Sequence, residues 1–320
     1  MIDNKDFEFK QILFLFAAEG DKLSFRNDNI LIMDRQGKVK HQSTYYRLFL
    51  LCVVGHITIT SGLIQRAKKF GFSICLFTTT MRLYTFIDGG MEGNTLLHKY
   101  QYEYEGLAIG QSIVKNKICN QRASLNSIRN KTVECKNAIA RLDEHISKLD
   151  SQAFELKQLL GIEGSAARTY FKCIFDNEEW KGRQPRVKAD YLNSTLDIGY
   201  TILFNFIEEL LRIYDFDIYK GVLHKAFYMR KSLVCDLVEP IRPVIDLQIR
   251  KSINLYQFKE EDFQLYNRRY ELKWKKSPEY TSVLLKPLLE HKNDIFLYIR
   301  DYYRAFMKHK NADEFPVFKI

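Results

Sequence analysis

The 320-residue sequence predicts an α+β chain. A small β-rich, sandwich-like N-terminal domain is expected over residues 1–88, a linker over 89–96, and a larger all-α C-terminal domain over 97–320. Three observations lead there. Short runs of β-branched and aromatic residues recur through the first ninety or so positions, broken by turn formers. The stretch Asp88–Asn94 holds three glycines in seven residues. Beyond it the apolar residues take up helical spacing.

In order along the chain, Ile12–Phe16, Ile30–Met33, Arg47–Val54, His56–Thr60 and Ser73–Phe77 are the predicted strands. The turns between them carry Glu19-Gly20, Arg26-Asn27-Asp28-Asn29 and Arg35-Gln36-Gly37. One helix, Gly62–Phe70, interrupts them and stops at Gly71. After the linker, apolar residues at 139, 142, 146, 149, 153, 156 and 160 alternate steps of three and four. They form one apolar stripe and predict a helix from Ile139 to Leu160. Further helices are predicted at Gly164–Phe175, Tyr191–Tyr214, Leu233–Glu239 and Lys292–Lys308.

Composition narrows the function classes. With 46% hydrophobic residues the chain can bury a core for about two domains. No apolar run approaches the roughly 20 residues of a membrane helix, and the charged N-terminus is not a secretory signal, so a cytoplasmic location is expected. Cys52, Cys75, Cys119, Cys135, Cys173 and Cys235 form no CxxC motif, which sets aside zinc knuckles and thioredoxin chemistry. They read as reduced, small hydrophobes. The net charge of +10 favours a polyanionic partner. Bases concentrate over Lys115–Arg141, and again in Arg268, Arg269, Lys273, Lys275 and Lys276, interleaved with Tyr266, Tyr270 and Trp274. Either cluster is equally compatible with a solvated helix face.

No GxSxG, P-loop, HExxH or GxGxxG is present; acids and histidines on helical segments remain. Glu163 sits between Gly161 and Gly164 near the expected start of a helix. It is either an acid favoured by the helix dipole or a ligand beside glycines that let a backbone or a phosphate approach. His224, in Gly221-Val-Leu-His224, is either a hydrogen-bonded boundary residue or a metal ligand. Asp236 and Glu239, three apart in Ser232–Pro243, share a helix face. On so apolar a helix they need a neutralising partner, either a base such as Arg242 or a divalent cation.

Taken together and in this order, the segments resemble the CRISPR-associated integrase family, the catalytic subunit of spacer acquisition. The likeness runs from about His56 to Asp246. It is carried by GIEGSAARTYF at 161–171, GVLH at 221–224 and SLVCDLVEPIRPVID at 232–246. KICNQRASL at 117–125, the series Pro185, Asp190, Asn193, Tyr200, and ITITSGLIQRAKKFGFSICLF at 57–77 support it. The chain departs from the family pattern at His98-Lys99, at Asp215-Phe-Asp-Ile218, at Asp190-Tyr191, and at Thr80-Met81, where a glycine is usual.

The resemblance implies that Glu163, His224 and Glu239 bind Mg²⁺ or Mn²⁺ and are the catalytic residues, with Asp236 as a supporting acid that can exchange roles with Glu239. It implies a metal-dependent DNA endonuclease and integrase that joins the 3′-hydroxyl ends of spacer DNA to the CRISPR repeat by transesterification. The implied partners are a prespacer duplex, the repeat DNA, a second copy in a homodimer, and a small ferredoxin-like companion; none is a membrane. Lys117, Arg122, Arg183, Lys188 and Arg242 are the candidate DNA-binding bases. Two rivals stay open: a hydrolytic metal-dependent DNase, and a DNA-binding scaffold without catalysis.

Overall fold

A computed structural model describes residues 4–90, 93–175, 180–225 and 227–320. Their contacts divide the chain into two units, Met1–Asn94 with Glu208–Phe216, and Thr95–Ile207 with Asp217–Ile320.

In the first unit a short helix α1 (Asn4–Glu8) precedes β1 (Gln11–Phe16), β2 (Lys22–Arg26), β3 (Asn29–Met33), β4 (Val39–Thr44) and β5 (Leu48–Val54). Then come α2 (Ser61–Phe70), β6 (Ser73–Phe77) and β7 (Leu83–Ile87). The strands make two sheets, one of four in the order β1-β5-β6-β7 and one of three in the order β2-β3-β4. β5 is parallel to both β1 and β6, while β7 closes the larger sheet antiparallel to β6. All seven β5 residues are buried, which is why that strand reads as a continuous apolar run rather than an alternation. Leu15, Ile30, Ile32, Leu51, Leu63 and Ile74 bring both sheets and α2 into one core. The predicted α+β class, strands first and helices after, is what the chain adopts.

Helix α2 ends as expected, with Gly71 in the left-handed region at φ 66°. Met81 takes the same region at φ 61°, filling with a buried methionine a conformation that glycine adopts more readily. The expected strand over His56–Thr60 is absent. Its alternation is real, since Ile57 and Ile59 pack on the core, but β5 is already flanked on both edges by β1 and β6. Strands β2, β4 and β7 escaped the sequence reading because their exposed residues mix polar side chains with Phe25, Val39 and Tyr84, which leaves no clean alternation.

Of the predicted linker, Met91 and Glu92 lie outside the described residues. Around them, Arg212 pairs with Asp88 just before the linker at 2.9 Å, and the Gly93 and Asn94 amides donate to Asp215 Oδ2 at 2.8 and 2.6 Å, while Thr95 and Leu96 already begin a helix of the second unit.

The second unit is helical: α3 (Thr95–Glu103), α4 (Ala108–Asn126), α5 (Val133–Ser151), α6 (Leu156–Ile174), α7 (Tyr191–Ile213), α8 (Ser232–Val238) and α9 (Arg242–Asn254). A hairpin of β8 (Phe263–Tyr266) and β9 (Arg269–Leu272) follows, then α10 (Ser277–Glu290) and α11 (Lys292–Met307). The last turns of α7 belong to the first unit.

The stripe from Ile139 to Leu160 is two helices, not one. Gln152 is extended at φ −158°, and Gln111 of α4 satisfies the broken backbone. Its amide donates to Leu149 and Gln152 carbonyls at 2.8 Å each and accepts from the Phe154 N–H at 3.2 Å. The second helix restarts where Gln158 Oε1 accepts from the Glu155 N–H at 3.1 Å. Glu163 therefore stands two turns inside α6 rather than at a helix start, and the dipole reading of it fails. The aromatic and basic cluster from Tyr266 to Lys276 lies on the hairpin and the turn after it, not on a helix face.

Candidate active site

The site is assembled around α4, whose inward face carries polar side chains among apolar ones. Asn116, Lys117, Asn120 and Gln121 are all buried. A buried amide needs partners, and Asn116 and Asn120 find them in distant backbone. Asn116 exchanges hydrogen bonds with Phe318, donating to its carbonyl at 2.7 Å and accepting from its N–H at 2.9 Å. Asn120 donates to the carbonyls of Phe318 at 2.9 Å and Pro240 at 2.8 Å. The Pro240 bond fixes the chain next to Glu239.

Lys117, one turn before Asn120, reaches between two carboxylates. Its Nζ lies 2.6 Å from Glu163 Oε1 on α6 and 2.6 Å from Glu239 Oε2 at the end of α8. The three side chains are only 9, 13 and 5% exposed. Lys117 donates a hydrogen bond to Glu163. Glu239 Oε2 is buried, and Lys117 is the cation that pairs with it. Arg242 approaches the other oxygen of Glu239 at 3.1 Å. Burial by itself would push the Glu239 carboxyl up, but Arg242 and then Lys117 outweigh it, with His224 adding to them, and hold it at about 2. Burial draws the Lys117 ammonium down, and Glu239 and Glu163 more than restore it.

His224 is held by Asp236. The Asp236 carboxylate is fully buried and accepts the Val222 and Leu223 amides on Oδ2 at 2.7 and 3.0 Å, and the His224 amide on Oδ1 at 3.0 Å. The His224 Nδ1 lies 2.6 Å from that same Oδ1. A carboxylate can only accept, so Nδ1 carries the proton, and in the neutral ring Nε2 is the nitrogen with the lone pair. Gly221 is required here: a Cβ would stand 2.6 Å from Asp236 Oδ2 and 2.8 Å from the His224 carbonyl. At Gly161 and Gly164, by contrast, an added Cβ would meet nothing within 4 Å, so the α6 surface on either side of Glu163 is open.

The sequence-nominated residues thus fall into two linked pairs. Glu163 and Glu239 share Lys117, His224 and Asp236 share a hydrogen bond, and the Glu239 carboxyl senses His224. Asp236 accepts the amides of the 222–224 loop, while Glu239 pairs with Lys117 and Arg242. As folded, among the described residues, no three His, Cys, Asp or Glu side chains stand close enough to hold an ion between them. The donor set nevertheless suits a hard divalent cation. Two carboxylates and one neutral imidazole nitrogen are available, and a buried anionic oxygen is held against an ammonium.

A second network lies beside it. The Tyr200 and Tyr170 hydroxyls donate to Asp246 at 2.5 and 3.1 Å, and burial raises the Asp246 carboxyl to about 6. Arg242 and Arg183 lie over the Tyr200 ring at 4.8 and 5.3 Å. Most of the bases nominated for DNA have intramolecular partners: Lys117 as above, Arg122 with Asp143, Arg183 with Asp197 at 2.5 Å, and Arg242 with Glu239. Lys188 has no ion pair among the described residues. The structural role of Lys117 and Asn120 was missed in the sequence, although polar residues at i and i+3 beside Ile113, Val114 and Ile118 mark a buried polar face.

Residues 15–283 match the family model described as CRISPR associated protein Cas1. The CRISPR-associated endonuclease Cas1 1 of Thermodesulfovibrio yellowstonii is 26% identical over 274 residues, spanning 82% of this chain and 81% of that protein. Among solved structures, a Cas6-RT-Cas1–Cas2 complex aligns over 97% of this chain at TM-score 0.80 and 21% identity, and this chain spans 36% of that one. A casposase bound to integration product aligns at TM-score 0.77 and 17% identity, covering 97% of this chain and 96% of that one. At these identities the structural likenesses speak for the fold. Among the described residues no helix is long and apolar enough to cross a membrane.

Proposed function

The chain belongs to the CRISPR associated protein Cas1 family, and from that membership we propose that it is a metal-dependent DNA endonuclease and integrase of CRISPR adaptation. The observation that carries this reading is the convergence of Glu163 on α6 and Glu239 at the end of α8 on one buried cationic nitrogen, with His224 acting electrostatically on Glu239. Glu163, His224 and Glu239 would hold Mg²⁺ or Mn²⁺. Bound there, the ion supplies charge stabilisation to the nonbridging phosphate oxygens and a more acidic attacking hydroxyl.

The protein's own residues do the rest. Asp236 would hold the neutral imidazole in the tautomer that leaves the Nε2 lone pair for a metal. Arg242 keeps Glu239 ionised, and Asn120 pins the backbone behind it. In the joining step a DNA 3′-hydroxyl oxygen bonds to a phosphorus of the repeat, and the bond from that phosphorus to the departing 3′ oxygen breaks. The attacking hydroxyl loses its proton to solvent and the departing oxygen gains one. One phosphodiester replaces another, so no enzyme nucleophile is needed. That suits a chain without a recognisable activated serine or cysteine.

Binding to the prespacer duplex and the repeat follows from the +10 net charge. The bases without an intramolecular ion pair among the described residues are better placed for phosphate than the paired ones. They include Lys188 and, on the hairpin, Arg268 and Arg269 beside the exposed Tyr266. The names of aligned relatives, an endonuclease, a Cas1–Cas2 complex and a casposase with its integration product, support DNA and a Cas2 partner. A homodimer and the small ferredoxin-like form of the companion belong to this proposal and rest on the family resemblance alone.

The test is an integration assay with a 3′-hydroxyl duplex and a supercoiled repeat target, with and without Mn²⁺. Joining should require the ion. Glu163→Ala or His224→Ala should lower it by about a thousandfold or more, with DNA affinity nearly unchanged. Persistent cleavage of the target when the 3′ ends are blocked would favour the hydrolytic nuclease instead. Full joining in either variant removes that residue from the site.

A further inference from the structure

We infer that Lys117 is an internal counter-ion that occupies the place of the divalent cation and must leave it for the ion to bind; the inference rests on the metal reading above. Two ionised carboxylates this close and this buried repel each other unless a cation lies between them. Lys117 is that cation, within 2.6 Å of both. One ammonium bridges both oxygens, each 2.6 Å from Nζ, so the lysine stands where a single cation would have to sit to serve both carboxylates.

The lysine stem is free to yield while its helix is not. Asn116 and Asn120 lock α4 to Phe318 and Pro240 through four hydrogen bonds, so α4 cannot withdraw as a body. The four-carbon side chain is the flexible element, and its compact, strongly hydrated head regains water on leaving. Glu163 keeps 13% of its side chain exposed, so the pair is not sealed from solvent. A resident ammonium keeps the metal-free protein folded around two like charges. It also makes the site selective against weakly bound ions, since an incoming cation must displace a unit charge.

The test uses the full chain without DNA and Mn²⁺ alone, titrated calorimetrically into wild type, Lys117→Met and Glu163→Gln. Lys117→Met should bind Mn²⁺ at least about tenfold more tightly than wild type, because a like charge a few ångströms from the ion is gone. Glu163→Gln should bind at least tenfold more weakly. Equal or weaker binding by Lys117→Met, with Glu163→Gln impaired, overturns the counter-ion role while the metal site stands. Absence of Mn²⁺ binding in both wild type and Lys117→Met overturns the metal reading itself.

Because Lys117→Met places two carboxylates face to face and is at risk of not folding, amine acetylation of the wild-type protein, read by mass spectrometry, supplies an independent measurement. Saturating Mn²⁺ should raise the Lys117 labelling rate several-fold, with exposed Lys275 unchanged as the internal reference. Labelling of Lys117 that is unaffected or slowed by bound Mn²⁺ contradicts its expulsion.

Discussion

Two buried glutamates, one in each unit, carry opposite charge states. Glu239 in the helical unit is 4% exposed and Glu209 in the β unit is 3% exposed, yet neighbours hold Glu239 at about 2 while burial raises Glu209 to about 8. Burial pushes both upward. Glu239 faces Arg242 and Lys117 directly, whereas Glu209 has a hydrogen bond from Ser73 and the nearby acids Asp88 and Glu208, with Arg212 as a weaker counterweight. Arg212 is committed elsewhere, pairing with Glu208 and Asp88, each at 2.9 Å. Depth alone therefore does not mark a chemical site. A carboxylate kept ionised in the interior by one buried and one partly exposed cation is what distinguishes the region proposed for catalysis from one that packs.

The sharpest way to break this contrast is to remove each carboxylate's charge. Glu239→Gln leaves Arg242 and Lys117 facing a neutral amide and should destabilise the helical unit by about 3 kcal/mol. Chemical denaturation read by helix-sensitive circular dichroism checks it, and a loss under about 1 kcal/mol would mean that the ion pairs do not hold Glu239 charged.

Glu209→Gln should behave the other way, with a smaller and pH-dependent effect. The folded protein keeps the Glu209 proton up to about pH 8, whereas the unfolded chain releases it at the ordinary value of 4.5. Between those limits the folded state binds more protons, so wild-type stability falls as pH rises, by up to about 1.4 kcal/mol per pH unit. The amide neither gains nor loses a proton, and it can still accept from Ser73. The variant should therefore match wild type near pH 5 and exceed it by pH 8 in melting experiments. A stability difference independent of pH over that window would show that Glu209 is ionised in the fold.

The sequence carried the two-part architecture and most helices because periodicity and turn chemistry are local signals. Gly71 stopped α2 where expected, and α7 and α11 came within one residue of their predicted ends. What it did not carry was set by distant partners. Whether Ile139–Leu160 is one helix or two depends on the Gln111 amide, and whether His56–Thr60 is a strand depends on sheet edges already taken. The site shows the same division. Ordered motifs brought Glu163, His224, Asp236 and Glu239 forward, and all four lie in linked pairs. Lys117 was read as a DNA contact because a lysine's sign is legible in sequence, but the acids it faces are 46 and 122 positions away.

The convergence of Glu163, His224 and Glu239 on a single cation is tested most directly by crystals grown with Mn²⁺ and read by anomalous diffraction. The expected result is a peak roughly 2–2.5 Å from a carboxylate oxygen of each glutamate and from His224 Nε2, with Lys117 Nζ displaced. A Mn²⁺-saturated crystal with no peak there, and Lys117 still lodged between the two carboxylates, would contradict it.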